Sequence, residues 1–211
     1  MDGTKAGGRT PIRTEGELRT EYGPINPLAA VKVFPVLDRF CRDFIALSPF
    51  LVVASGDGQG RVDASPRGDA PGFVAVLDDR RLLIPDRLGN KRVDTFGNVV
   101  QSPAVGLVFM VPGINETLRV NGQGTLVRDE ALLRPLEAQG KVPAVGLLVE
   151  VEEAFFHCGK ALIRSKLWDP ALHVERSRFP TLGRVIAEQT SAVEVEAAEK
   201  TIAEAYRSRL Y

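Results

Sequence analysis

The chain has 211 residues, of which 44% are hydrophobic, and this suits a single domain with a well-filled core. Lys and Arg together number 27, as do Asp and Glu, so the net charge is zero and the composition argues against a basic surface for nucleic acid or an anionic membrane. No apolar run approaches the roughly 20 residues that cross a bilayer, and residues 1–20 lack a signal-peptide core, so we expect a soluble cytoplasmic protein.

Residues 1–35 are expected to form a tail or an arm lying on a partner, because residues 1–27 contain few apolar side chains and several turn formers. The first predicted helix covers residues 36–47, where apolar side chains recur at helical spacing. Those side chains are Val36, Leu37, Phe40, Phe44, Ile45 and Leu47. Cys41 lies beside this stripe, and we interpret it as a small buried side chain. Cys41 and Cys158 form neither a disulfide framework nor a zinc pattern, so no metal site is expected.

The next elements are predicted strands, recognised by apolar alternation or short apolar runs between turns. They cover residues 50–55, 61–67, 73–77, 80–85, 104–111, 116–127 and 145–156. Glycine-rich residues 56–60 and the pair Asp78-Asp79 turn the first four strands into two hairpins. Residues 104–111 are apolar throughout, which predicts a central strand covered on both faces.

The remaining predicted elements are helices. Short ones cover residues 93–101, 129–139 and 159–168, and two more follow at 179–189 and 193–209. In the last helix, the spacing directs four side chains inward: Ala198, Ile202, Ala205 and Tyr206.

Two stretches favour the binding of an anion. In the strand at 61–67 the polar face carries Arg61, Asp63, Ser65 and Arg67, opposite Val62, Ala64 and Pro66. The second stretch is Gly89-Asn90-Lys91-Arg92, which opens the helix at 93–101 with cations at the positive end of the helix dipole. Either Asn90 caps the helix and the cations cradle a phosphate, or Asp86 and Asp94 merely neutralise two solvated cations.

The strand at 116–127 alternates cleanly, with Leu118, Val120 and Leu126 on one face. Its other face carries a polar row: Thr117, Arg119, Asn121, Gln123 and Thr125. The row is either a solvated face or the lining of a ligand or subunit interface.

Residues 157–168 concentrate a histidine, a thiol, three cations and the only tryptophan. A helix at 159–168 would put Lys160 and Arg164 on one face, with Trp168 one turn further on. The cluster either borders an aromatic or anionic ligand or is a solvated cationic helix anchored by Trp168. His157 is interpreted as a hydrogen-bonded structural residue, and Cys158 as a thiol whose pKa nearby cations would lower; their functional roles stay open. No Ser/His/Asp set or carboxylate pair stands at a recognisable spacing, which argues against hydrolysis.

Three motifs, in this order and spacing, resemble one known family. SPRGD, LLIPDRLGNKR and ETLRVNG are similar to motifs of the pyridoxamine 5'-phosphate oxidase-like family of FMN-binding split barrels, over residues 44–169. The resemblance implies a mainly β protein with peripheral helices (α+β), built on an antiparallel six-stranded split β-barrel. The barrel domain would cover residues 36–170, and residues 171–211 would form a helical extension packed on it.

The resemblance also implies where FMN binds. Arg67, Asn90, Lys91 and Arg92 match the positions that hold its phosphate, and Ile84-Pro85 match the place where the backbone runs along the flavin. Thr117 stands where family members often place a glutamine, and an HC.KA..RS.LW pattern near the cofactor matches residues 157–168. The candidate cofactor-binding residues are therefore Ser65, Arg67, Ile84, Pro85, Asn90, Lys91, Arg92, Thr117, Lys160, Arg164 and Trp168.

The expected protein is a homodimer with FMN between its subunits. It would transfer hydride or electrons between the flavin and a small substrate or nicotinamide donor, with no protein side chain assigned as acid or base. Two alternatives remain: a non-catalytic flavin-storing or sensing protein, and a deazaflavin- or haem-using member of the same superfamily. We do not expect an efficient pyridoxamine 5'-phosphate oxidase, because residues 129–141 offer Arg134 but no tyrosine or serine, and residues 206–211 lack the histidine of that enzyme's Arg-x-His motif.

Overall fold

The computed structural model describes residues 11–211, and the chain divides into two compact units between Val33 and Phe34. In the first unit, helix α1 (Glu15–Tyr22) begins with a capping box and is followed by the short helix α2 (Pro27–Ala30). Neither helix contains a buried residue. Of the segment expected to be a tail or an arm, residues 1–10 lie outside the described residues.

The second unit begins with helix α3 (Arg39–Leu47). It starts three residues later than predicted, because the Asp38 side chain caps it by accepting a hydrogen bond from the Cys41 backbone N–H at 2.9 Å. Cys41 is buried as predicted, and burial raises the pKa of its thiol to about 12. Phe40 and Leu47, predicted on the apolar stripe, are instead 56% and 55% exposed, because the buried face of α3 follows positions 41, 44 and 45.

Seven antiparallel strands form one sheet in the order β2-β1-β5-β6-β7-β4-β3. They are β1 (Phe50–Gly56), β2 (Val62–Gly68), β3 (Ala75–Val76), β4 (Arg81–Pro85), β5 (Ala104–Met110), β6 (Thr117–Val127) and β7 (Gly146–His157). The α+β split-barrel class is confirmed, with the seven strands that the apolar pattern predicts where the resemblance implied six; the shortest, β3, has two residues. Helix α4 (Asp94–Gln101) connects β4 to β5.

The main core lies on one face of this sheet, and a smaller cluster of Leu83, Leu133 and Leu136 lies on the other face at β4. On β5, Val105, Leu107 and Phe109 are buried, whereas Val108 and Met110, on the other face, are only half-buried. The prediction that this strand is covered on both faces is therefore wrong for the single chain. A continuous apolar run shows that a strand is apolar on both faces, but not what covers the second one.

The first edge of the sheet is strand β2, and its burial is the reverse of the sequence-based expectation. Val62, on the apolar face, is 82% exposed, while Ser65 and Arg67, on the polar face, are half-buried. The polar face is covered because it packs toward α4: Asn98 of that helix donates a hydrogen bond to Asp63 at 2.8 Å.

Four helices complete the unit: α5 (Glu130–Leu133), α6 (Lys160–Ser165), α7 (Leu182–Thr190) and α8 (Val195–Ser208). Short 3-10 helices cover Arg134–Leu136, Pro170–Leu172 and Arg176–Arg178. Ala198 of α8 is buried as predicted, but Tyr206 is 61% exposed, since α8 packs along only a narrow stripe. In the described part of the chain, no helix combines the length and apolarity needed to span a membrane.

Candidate functional site

A cavity of about 400 Å³ opens between the ends of β2 and β4, the loop at 86–93 and the start of α4. This arrangement brings together six residues that sequence reasoning assigned to a cofactor site. They are Ser65, Arg67, Pro85, Asn90, Lys91 and Arg92. We call this space the cationic cavity.

Arg67 is the best-defined side chain of the cationic cavity. Its guanidinium donates to Ser65 Oγ at 2.6 Å, to the Pro66 carbonyl at 2.9 Å and to Thr95 Oγ1 at 3.2 Å. All three acceptors are uncharged. Burial lowers the pKa of Arg67, and the nearby Asp86 carboxylate offsets this in part. A half-buried cation held by neutral oxygens would be stabilised by an anion in the cavity, through charge-assisted hydrogen bonds.

The cationic loop differs from its prediction in one respect. Asn90 does not cap the helix: its Oδ1 accepts a hydrogen bond from the Arg92 backbone N–H at 3.0 Å, inside the loop. Helix α4 begins only at Asp94, after Val93. Lys91 and Arg92 therefore precede the helix, and its first turn carries an aspartate, as the helix dipole favours. The local asparagine turn displaces the start of the helix.

The backbone of this loop is strained. Lys91 has φ 61° and Val93 has φ 55°, both in the left-handed region. A β-branched residue in that region is a genuine outlier, and such strain clusters at functional sites.

The acidic residues near the loop test the alternative that Asp86 and Asp94 merely neutralise Lys91 and Arg92. Arg92 Nε forms an ion pair with Asp94 Oδ2 at 2.8 Å, in which both side chains are largely exposed. Lys91 forms no ion pair with any described residue. Asp86 lines the cavity half-buried; burial raises the pKa of its carboxyl, and Arg67 opposes the shift. Neutralisation thus holds for Arg92 but not for Lys91.

Ile84 and Pro85, the other two candidate site residues in the LLIPDRLGNKR motif, have different surroundings. Pro85 lines the cationic cavity, whereas the Ile84 side chain is 2% exposed and packs in the core. Ile84 thus offers a ligand only its backbone.

The other predicted site residues form a second group, none of which lines the cationic cavity. Thr117 is buried at the start of β6 and pairs with His157, and α6 follows directly. Trp168 donates its indole N–H to the Ile114 carbonyl at 2.9 Å, which anchors it to the barrel. Helix α6 ends at Ser165 and Lys166 is left-handed, so Trp168 does not continue the helical face of Lys160 and Arg164, which are exposed.

The rest of the β6 polar row contacts β7. Asn121 Nδ2 donates to Glu153 at 2.5 Å, and Gln123 Nε2 donates to Glu152 at 2.8 Å. The Arg119 guanidinium lies 5.1 Å from the centre of the Phe155 ring. The row is half-buried by its neighbours, apart from an exposed Thr125.

Sequence reasoning missed Arg87 and Thr95, which line the cationic cavity, and the residues that hold Arg87 in place. Arg87 bridges Asp69 Oδ2 at 2.6 Å and the Leu136 carbonyl at 2.9 Å, and the Tyr211 hydroxyl donates to Asp69 Oδ1 at 2.6 Å. Asp69 belongs to the SPRGD motif and Arg87 to the LLIPDRLGNKR motif, so the sequence could have indicated both as candidate site residues. Thr95, which binds Arg67, is a single threonine in a helix and carried no signal.

Comparison with known proteins shows which family the barrel resembles. Residues 37–158 match the family model described as pyridoxamine 5'-phosphate oxidase. No curated protein sequence matches the chain.

Three of the solved structures that match the chain share 16–20% sequence identity with it. HupZ from Group A Streptococcus is 16% identical with a TM-score of 0.47, covering 56% of this chain and 92% of its own. A putative pyridoxamine 5'-phosphate oxidase from Lactobacillus delbrueckii is 20% identical (TM-score 0.45), covering 59% and 99%. HutZ, the heme storage protein from Vibrio cholerae, is 16% identical (TM-score 0.41), covering 56% and 93%. The family model spans more than half of the chain, and the protein therefore belongs to the pyridoxamine 5'-phosphate oxidase-like family.

Proposed function

We propose that the protein is a flavoprotein that holds the phosphate of FMN in the cationic cavity and acts as an oxidoreductase. The observation that carries this proposal is Arg67, a half-buried guanidinium facing the cavity with only uncharged hydrogen-bond acceptors. Lys91, which has no ion pair among the described residues, would be a second phosphate ligand, and Arg92 a third.

The other residues suit the rest of such a ligand. Phe73 and Pro85 supply apolar surface to the cavity wall, and Ser65 and Asn90 supply polar groups. When bound, FMN would supply hydride or electron transfer at its ring. The chain's own tasks would then be to anchor the phosphate, orient the ring and limit the access of water.

The second group of predicted residues would act from another copy of the chain. Thr117, Lys160, Arg164 and Trp168 lie outside the cationic cavity of their own chain. The outward sheet face, meanwhile, leaves Phe50 36% exposed and Val108 half-buried. A homodimer formed through this face would cover it and bring that group to the partner's flavin.

FMN titration tests the phosphate site. Replacing Lys91 and Arg92 by alanine should weaken FMN binding by about 1.5–3 kcal/mol per lost charge-assisted hydrogen bond. The matched control replaces Lys200 and Arg209, two exposed cations outside the cavity. Equal affinities in the two double variants would remove the loop from the site.

Two further measurements separate the alternatives. The absorption spectrum of the freshly purified protein distinguishes FMN, deazaflavin and haem. Turnover with NADH or NADPH then distinguishes an enzyme from a flavin store. A spectrum with a haem band and no flavin band would replace the proposed cofactor.

A further inference from the structure

A second cavity, of about 440 Å³, lies beside the cationic cavity and shares Arg92, Val93 and Asp94 with it. The polar face of β2 runs along both. Arg61 and Asp63 line the second cavity, and two residues further on the same face enters the cationic cavity. Residues two apart on a strand are separated by about 7 Å, so the two cavities lie end to end along β2.

The second cavity is polar and more acidic than basic. Its two arginines are already paired, Arg61 with Asp57 at 2.6 Å and Arg92 with Asp94 at 2.8 Å. Asp63 accepts a hydrogen bond from Asn98 and has further acceptor capacity. Such a lining would repel an anionic tail and would suit hydroxyl groups, as a carboxylate accepts from the ribose hydroxyls in dinucleotide-binding α/β folds.

The position of the second cavity indicates which part of a ligand it would receive. The loop that carries Lys91 and Arg92 stands between the cavities, and it is the loop proposed to hold the phosphate. A substrate that exchanges hydride must lie at the flavin ring, at the opposite end of the ligand from this loop. The second cavity is therefore placed for a group attached beyond the phosphate.

We infer that the natural ligand is a flavin dinucleotide, whose flavin-phosphate half occupies the cationic cavity and whose adenosine half occupies the second cavity. This inference rests on the proposed function, because FMN is the flavin-phosphate half of FAD. Arg92 borders both cavities and therefore lies where the two halves of the ligand would join. Asp63 would accept hydrogen bonds from the adenosine ribose.

One glycine allows the second cavity to be filled separately. Gly97 of α4 lines it, and a Cβ added there would meet no atom within 4 Å. A leucine at this position would project into open space without disturbing its neighbours. Gly97 does not line the cationic cavity.

Isothermal titration with FMN and with FAD tests the inference on the wild type, Gly97→Leu and Gly97→Ala. The wild type should bind FAD roughly tenfold more tightly than FMN, as one or two net hydrogen bonds would give. Gly97→Leu should bind FAD no better than FMN while keeping its FMN affinity, and Gly97→Ala should resemble the wild type.

A second variant, Asp63→Asn, keeps the test valid if Gly97→Leu fails to fold; it should also lose affinity for FAD and not for FMN. Equal affinities for FAD and FMN in the wild type would overturn the inference and leave the FMN site standing. Tighter binding of a deazaflavin with an acidic tail than of FAD would overturn it as well. Failure to bind either flavin would overturn the proposed function and the inference together.

Discussion

At the scale of single residues, the most informative side chain is Val93, which links the cationic loop to α4. Its backbone is left-handed although it is β-branched, and its side chain is 59% exposed, so little burial offsets the strain. Backbone strain of this kind costs about 1–2 kcal/mol. Val93, which lines the cationic cavity, therefore lowers the stability of the folded protein.

Replacing Val93 by glycine should therefore stabilise the protein. Glycine relieves the strain but adds about 0.5–1 kcal/mol of unfolded-state entropy, which leaves a net gain of up to about 1.5 kcal/mol. Urea denaturation measures the free energy of unfolding. The control is Val100→Gly, at a valine of α4 that is 76% exposed, and this variant should lose about 0.5 kcal/mol, the difference between the helix propensities of valine and glycine. A similar loss in both variants would show that the Val93 backbone is not strained.

A second prediction at this scale concerns Asp69. Its side chain is 5% exposed, and burial alone would raise its pKa, but hydrogen bonds from Tyr211, the Ala70 N–H and Arg87 outweigh burial and lower it. A lowered folded-state pKa contributes stability above the unfolded pKa of about 3.9, and this stability is lost as the pH falls through the folded-state value. The hydroxyl of Tyr211 should therefore stabilise the protein at neutral pH and not in strong acid.

Tyr211→Phe should lower the free energy of unfolding by about 1 kcal/mol at pH 7. The difference from the wild type should shrink as the pH falls through the folded-state pKa of Asp69, which is lowered below its ordinary value, and the carboxyl becomes protonated. Urea denaturation from pH 7 down to strong acid measures it, with Tyr206→Phe, at a tyrosine that is 61% exposed, as the control. A difference that persists unchanged in strong acid would assign the loss to packing and not to the hydrogen bond with Asp69.

At the scale of elements, the contact between α7 and α8 depends on one glycine. A Cβ on Gly183 would lie 2.6 Å from the Glu199 backbone nitrogen and 2.7 Å from its Cα. These are backbone atoms, so the helices themselves would have to separate. The two helices therefore approach as closely as they do only because position 183 lacks a side chain.

Gly183→Ala should destabilise the protein by about 1–3 kcal/mol through overpacking. Gly97→Ala, in the helix α4, faces open space and should stabilise it by about 0.5–1 kcal/mol, because alanine favours a helix over glycine. Thermal denaturation compares the two variants. Stabilisation by both substitutions would mean that α7 and α8 can separate at no cost.

At the scale of the whole molecule, the outward face of the sheet is expected to join two copies of the chain. Placing a charge there, with Val108→Asp, should yield monomers, because burying an unpaired carboxylate is costly. Sedimentation velocity measures the assembly, and Val100→Asp, on the exposed face of α4, is the control.

If the flavin site is shared, the monomeric variant should also release its flavin, as should the wild type on dilution. A monomer that retains its flavin would show that each chain holds the ligand alone.

The sequence by itself determined the strands and most helices, and it supplied candidate anion ligands, of which Arg67, Lys91 and Arg92 line one cavity. Alternation and turn residues are local properties, so β5, β6 and β7 lie within a residue of their predicted bounds. The three motifs also identified the family that the comparison confirmed. Arg67 and Lys91 stood out because cations concentrated in a chain of zero net charge imply a local purpose.

Only the tertiary structure decided which faces are covered and which distant residues meet. The period of a strand shows that its faces differ, but β2 lies at an edge, where α4 covers part of its polar face and its apolar face is exposed. Asp69 and Tyr211 are separated by 142 positions, and no local pattern links them. The second cavity likewise arises where β2 and α4 pass each other, because a cavity belongs to the packing of elements and not to any one of them.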